Sequence, residues 1–318
     1  MMRAVNQGRP GRAGDTVIVT GSGTGLGRET ALALAQSGFR VFATVRNLDQ
    51  RTELEQEAAR RGVTLTVLRL DLTDRASIAG AVAEVVADTG QVFGLVNNGG
   101  VGLRGCLEDC SDDEIREVFE ANVLGTIAVT KAVLPHMRAA GCGRIVTVTS
   151  IGGRVPGFGV TTYCASKFAQ EGIGEGLALE VAPFGIQSVI VEPGMINTTR
   201  WGRHRGTAAG AEDPSSPYHG LFWASEAAAD KIVRRSPTKP EHVSAVIVAA
   251  MTAEAPRLRY VVGRGAAVVI ALRRYLPQAA FERLYYGGQL RRLERAGGPV
   301  GGAPAPPSGS ETAAGAAP

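Results

Sequence analysis

Residues 16 to 35 read TVIVTGSGTGLGRETALALA. A run rich in β-branched residues is followed by glycines at 21, 23, 25 and 27 and then by residues with helical periodicity, which is the pattern of strand, tight turn and helix. Glycine permits the tight turn and lets the backbone approach a pyrophosphate, whose negative charge then sits at the positive end of the following helix. On this reading Gly21, Ser22, Thr24, Gly25, Leu26 and Gly27 contact a dinucleotide.

The same alternation continues along the chain. Short β-branched runs at 40–45, 64–70, 92–97, 143–150 and 187–192 are separated by segments of helical period, and a late run at 259–263 adds one more. Strands apolar on both faces with crossover helices between them imply a parallel sheet covered on both sides. The expected fold is therefore α/β, a single doubly wound, Rossmann-type parallel sheet of about seven strands with helices on both faces. It occupies residues 14–295 as one domain, with disordered tails at 1–13 and 296–318, where Gly, Ala, Pro and Arg dominate. The stretch 195–238 breaks the alternation and is read as a substrate lid. Its Trp201, Phe222 and Trp223 favour a lipophilic substrate, and fit core or oligomer contacts equally.

Composition narrows the function. The chain has 318 residues, 44% of them hydrophobic, and a formal net charge of +4, which suits a globular protein with a sizeable core. The basic excess lies at the two ends of the chain rather than along one face, so nucleic acid is not an expected partner. Cys106, Cys110, Cys142 and Cys164 form no CxxC and the four His are scattered, so reduced thiols and no metal are expected. No signal peptide opens the chain and no apolar run is long enough to span a bilayer, so the expected placement is cytoplasmic. Residues 266–286 mix apolar and basic side chains, as a segment lying peripherally on a membrane surface does; a packed edge helix has the same composition.

At the end of the second strand an Asp or Glu would meet a free ribose 2'-hydroxyl, but Val45 is followed by Arg46, which suits a 2'-phosphate. NADP(H) is thus preferred over NAD(H), although Asp49 lies within reach of a ribose. Further on, Tyr163 precedes Lys167 by one helical turn, and Ser150 stands thirteen residues before Tyr163.

These markers, in this order, resemble the short-chain dehydrogenase/reductase family over residues 15 to 265. The resemblance matches the family's adenine-contacting Asp to Asp71, beside Leu72, and its Asn-Asn-Ala-Gly motif to 97–100, with Asn98, Gly99 and Gly100 at the cofactor. It matches the helix Asn to Asn122, and the Pro-Gly and following Thr to Pro193, Gly194 and Thr198. Gly99 replaces the family's Ala, which should loosen local packing. "YCASKFAQEG" and "FATVRN" look like the branch holding retinol and 17β-hydroxysteroid dehydrogenases.

The resemblance implies an NADP(H)-dependent oxidoreductase interconverting an alcohol with a ketone or aldehyde. Tyr163 would be the acid/base, Ser150 the group that holds the substrate oxygen, Lys167 the charge partner that lowers the Tyr163 pKa and grips the nicotinamide ribose, and Asn122 the anchor of a relaying water. Tyr163, Lys167, Pro193, Gly194 and Thr198 would also touch the cofactor. Helices near 112–139 and 161–182 imply a homodimer or homotetramer. A non-catalytic NADP-binding sensor or scaffold, the alternative, typically loses the Tyr or the Lys, and both are present.

Overall fold

The structure, a computed structural model, describes residues 8–197 and 205–297. Among the described residues there are nine strands: β1 (Thr16–Val19), β2 (Arg40–Val45), β3 (Thr66–Arg69), β4 (Gly94–Asn97), β5 (Gly102–Arg104), β6 (Gly143–Val148), β7 (Ile186–Pro193), β8 (Arg205–Thr207) and β9 (Arg259–Val262). Seven form one sheet in the order β3-β2-β1-β4-β6-β7-β9, with every pairing parallel. The seven expected runs supply these seven strands.

Strand side chains alternate between the faces, so one strand feeds two cores. Val17 and Val19 of β1 point to the layer made by the helices Gly25–Gln36 and Pro240–Thr252, whereas Ile18 points to the layer made by Arg75–Thr89, Thr126–Ala140 and Thr161–Val181. The chain runs outward from β1 through β2 to β3 and returns on the far side of β1 as β4. That reversal opens a crevice between the carboxyl ends of β1 and β4.

Residues 8 to 11 are packed on the domain rather than forming part of a tail. Gly11 N–H donates to Met251 O at 3.1 Å, and a methyl on Gly11 would lie 2.8 Å from the Phe93 ring. Arg9 adds a two-pronged pair with Asp15, at 2.6 and 2.8 Å, and lies over the Phe93 ring. The Gly11 contact uses backbone and a missing side chain, so composition does not show it. Residues 298–318 lie outside the described residues, as does Thr198.

The 195–238 stretch is largely helical where it is described. It contributes β8, which pairs with β5, a short helix Ala209–Glu212 and the helix His219–Arg235. Arg104 on β5 ties this helix down through Glu226, at 2.6 Å. Phe222 is buried among Leu103, Val118, Ala208 and Ala211, and Trp223 packs edge-on against it; neither lines the cavity described below. Phe222 therefore joins this helix to the domain, as a core contact does. Trp201 lies outside the described residues.

The helical stretch Asp112–Ala140 is long and apolar enough to cross a membrane by length and composition, and half of its 18-residue apolar window is buried inside the domain. Its Val129, Val133 and Met137 sit in the core beneath the sheet. The 266–286 segment is a helix, Arg264–Tyr275, broken before Pro277 and resumed as Gln278–Phe281 and a wide turn over Glu282–Tyr286. Its Ala266, Val269 and Tyr285 help to roof the crevice.

Candidate functional site

The floor of the crevice is the glycine turn. Gly21 and Gly25 have φ of +68° and +56°, a region that side-chain-bearing residues rarely adopt. A methyl on Gly27 would lie 2.1 Å from Gly21 O and 2.4 Å from Asn98 Nδ2, so only hydrogen fits there. The turns after β1 and β4 interlock: Thr20 Oγ1 accepts from the N–H groups of Asn98 and Gly99, at 3.0 and 2.9 Å, and Asn98 Nδ2 donates to Thr20 O at 3.0 Å. The helix that starts at Gly25 has no side-chain cap at Thr24, so its first N–H groups and dipole are open to an anion. These features fit a dinucleotide pyrophosphate.

Gly99 does not leave loose packing behind. A methyl there would come within 2.9 Å of Leu72 Cδ1, so the Leu72 side chain already fills the space that an alanine methyl would take.

At the adenosine end, Arg46 follows β2 and is exposed. Burial works to raise the Asp71 carboxyl, but hydrogen bonds from Thr73 N–H and Oγ1, with the charges of Arg46 and Arg69, outweigh it and hold Asp71 below the usual carboxylate range. Asp49, the competing carboxylate, is occupied in a turn with Asn47, whose Nδ2 donates to it at 2.7 Å.

The opposite wall carries the reactive groups. Ser150 leaves β6 in an extended conformation and accepts from Gly152 N–H at 3.0 Å. A methyl on Gly152 would sit 3.4 Å from Ser150 Oγ and 3.5 Å from Tyr163 Cε1, so the hydroxyl and the ring border one point. Tyr163 lies in the first turn of the helix Thr161–Val181 and Lys167 in the next, with Nζ 5.8 Å from the centre of the Tyr163 ring. Lys167 is buried, and Nζ donates to Val148 O at 3.1 Å and Gln170 Oε1 at 2.8 Å. Burial pushes the ammonium pKa down to about 8, opposed by the negative charge of Glu171.

Asn122 sits in a wide π-type turn, Glu120–Gly125, and is fully buried. Oδ1 accepts from Val101 N–H at 2.7 Å, and Nδ2 donates to Val101 O at 2.9 Å and Ser166 Oγ at 3.0 Å. It therefore pins the loop after β4 to the Tyr163 helix. Its backbone carbonyl accepts from Gln170 Nε2 at 2.6 Å. Pro193 ends β7 and Gly194 follows it on the cavity wall, where Gly194 N–H donates to Val262 O at 2.9 Å.

A buried ionic cluster beneath Ser150 escaped sequence reasoning. Thr149 Oγ1 donates to Glu171 at 2.5 Å, Arg259 Nε contacts Glu171 at 3.1 Å and Glu192 at 3.0 Å, and Arg154 contacts Glu192 at 2.9 Å. It joins the carboxyl ends of β6 and β7 to Arg259, the residue that opens β9. Burial pushes the Glu171 carboxyl up to about 7, with Glu192 adding to the rise and Thr149 and Arg259 opposing it. The available signal was polar residues, Gln170, Glu171 and Glu192, at positions where helix and strand patterns demand apolar ones.

Between these walls lies a cavity of about 890 Å³, touched by Leu26, Asn98 and Gly100 on the cofactor side and by Ser150, Tyr163 and Lys167 on the other. Most of its remaining wall is aliphatic, including Val101, Leu103, Val155, Met195, Ile232 and Val269. A tyrosine whose ring lies 5.8 Å from a buried cation, on the wall of an apolar chamber next to a turn that fits a dinucleotide, is equipped to move a proton.

Residues 15–208 match the short chain dehydrogenase family. The chain is 35% identical to 17-beta-hydroxysteroid dehydrogenase type 1 of Homo sapiens over 253 residues, covering 77% of this chain and 76% of the relative. It is also 35% identical to retinol dehydrogenase 8 of Bos taurus over 251 residues, covering 77% and 80%. Among solved structures, a short-chain dehydrogenase from Streptomyces avermitilis superposes with a TM-score of 0.73 at 32% identity, covering 88% of this chain and 98% of that one. With the doubly wound sheet and its crevice, these likenesses place the chain in the short-chain dehydrogenase/reductase family, in the branch of the 17β-hydroxysteroid and retinol dehydrogenases, as an oxidoreductase acting on CH–OH groups.

Proposed function

We propose that the protein interconverts a lipophilic alcohol with its ketone or aldehyde using NADP(H), with Tyr163 as the acid/base. The observation that carries this reading is the convergence of Ser150 Oγ and the Tyr163 ring about Gly152, on the wall of an aliphatic cavity, with Lys167 buried behind them. Bound in the cradle, the nicotinamide would give or take the hydride. Ser150 Oγ holds the substrate oxygen, and Tyr163 gives that oxygen a proton in reduction or removes one in oxidation. An unperturbed tyrosine titrates near pH 10. The Lys167 ammonium favours the phenolate and brings Tyr163 toward neutral pH. Because Lys167 is charged below about 8 and neutral above it, that assistance should fade as pH rises through 8.

The aliphatic wall supports a retinoid-, steroid- or aromatic ketone-like substrate. A panel of such compounds with NADPH, followed at 340 nm, tests the reading; cofactor binding with no turnover on any of them would favour the sensor instead. Arg46, open beside Asp71, supports NADP(H). Arg46→Ala should raise the KM for NADPH about tenfold and leave that for NADH within about twofold. An NADPH preference that survives the change would refute this role.

Two surfaces support further proposals. Leu124, Phe168 and Leu179 are exposed on the helices that would pair in a homodimer or homotetramer, and equilibrium sedimentation of a monomer would dismiss that assembly. Exposed Val268, Tyr275 and Leu284, interspersed with Arg273, Arg274 and Arg283, support peripheral contact of a cytoplasmic protein with an anionic membrane. Failure to co-sediment with phosphatidylserine vesicles would dismiss it.

A further inference from the structure

Tyr163, Lys167 and Gln170 recur at i, i+4 and i+7 and so share one face of their helix. Gln170 is buried, and every polar atom of its amide is engaged. Nε2 donates to Asn122 O at 2.6 Å and Thr126 Oγ1 at 3.1 Å, both on the neighbouring helix, and Oε1 accepts from Lys167 Nζ at 2.8 Å. The orientation of the amide is fixed by chemistry: a carbonyl such as Asn122 O can only accept, and an ammonium can only donate.

We infer that Gln170 is a positioning residue, whose amide ties the Lys167 ammonium to the Asn122 carbonyl and thereby sets both the place and the charge of Lys167 beside Tyr163. The inference rests on the proposed partnership of Lys167 with Tyr163. A neutral group that donates on one side and accepts on the other meets both neighbours. A carboxylate at 170 would face the Asn122 carbonyl with like partial charge, and a thioether would leave one Lys167 N–H and the Asn122 carbonyl without this partner. The charged groups around Lys167 are few. Glu171, on its own helix, is engaged by Arg259 of β9, and Glu192 of β7 is engaged by Arg259 and Arg154. The neighbouring helix presents only the uncharged Asn122 and Thr126 to Gln170.

The test uses the scarcity of lysine. The chain has four, Lys131, Lys167, Lys231 and Lys239, so ¹³Cε-lysine labelling gives four titrating resonances, and Lys167→Met assigns the one in question. Gln170→Met keeps the volume and removes the amide, so the Lys167 titration should move down by about half to one pH unit. Gln170→Glu should move it up by a similar amount. In turnover, kcat of Gln170→Met should fall about tenfold with the KM for cofactor within about threefold, and the alkaline limb should move with the titration. A Lys167 titration unchanged in the folded Gln170→Met protein, or a limb that stays put while wild type turns over, would overturn the inference. A shifted titration in a protein whose wild type reduces nothing would uphold Gln170 and refute the enzymatic reading, so the two failures are distinguishable.

Discussion

Tyr163→Phe should lower kcat by about 10³-fold and leave the Kd for NADPH within about threefold. The substitution removes one oxygen and keeps the ring, which borders Gly152 and stands 5.8 Å from Lys167 Nζ, so cavity and cradle remain as they are. What is lost is the proton that must reach the substrate oxygen as the carbon is reduced. Water cannot readily stand in for it, because that wall is mostly aliphatic and Lys167 behind it is buried. Isothermal titration for cofactor and initial rates for turnover separate the two effects. A variant turning over within tenfold of wild type would remove Tyr163 from the chemistry.

The second large effect concerns the opposite end of the sheet. Arg144 enters β6 fully buried, and its Nη1 donates to the carbonyls of Ala250, Met251 and Ala253 at 2.6, 2.7 and 2.8 Å. Nη2 reaches Gln187 on the adjacent strand β7. The guanidinium thus closes the carboxyl end of the helix Pro240–Thr252, where the helix dipole is negative. Burial lowers its pKa to about 10, which leaves it charged at neutral pH.

Arg144→Met would leave the Ala250 and Ala253 carbonyls without the guanidinium and Met251 O with Gly11 N–H alone, a loss of about 3–5 kcal/mol by analogy with broken buried charge networks. In a domain of this size that lowers Tm by about 10 °C. Because Arg144 begins β6 and Ser150 follows its end, kcat of the folded fraction at low temperature should stay within about twofold. Calorimetry and cold assays check both halves, and a fall in Tm under about 3 °C would contradict the capping role.

Why some features are legible in the sequence and others are not follows from these residues. Strands covered on both faces are mostly apolar, so β1, β2 and the 189–191 stretch of β7 announce themselves as runs. Gly21 and Gly27 are legible because their backbone conformation and close contacts exclude other residues, and Tyr163 with Lys167 because helical spacing is fixed. Gly11 is small in a glycine-rich, arginine-rich stretch, and nothing local shows that Met251 and Phe93 wait for it. Phe222 is apolar enough for either a pocket or a core, and tertiary packing alone places it in the core, with Trp223 half-exposed beside it. Arg144, Gln170 and Glu192 are polar residues whose partners come from distant segments, so their roles appear only when the chain is folded.

Reduction of a lipophilic ketone with NADPH bearing deuterium at C4, run separately with each C4 epimer, addresses the function directly. Mass spectrometry and NMR of the product should find one deuterium on the carbinol carbon from one epimer only, and none in Tyr163→Phe. NADPH bound in the cradle, with no deuterium reaching carbon across retinoid, steroid and aromatic ketones, would contradict hydride transfer in this cavity and leave a nucleotide-binding protein.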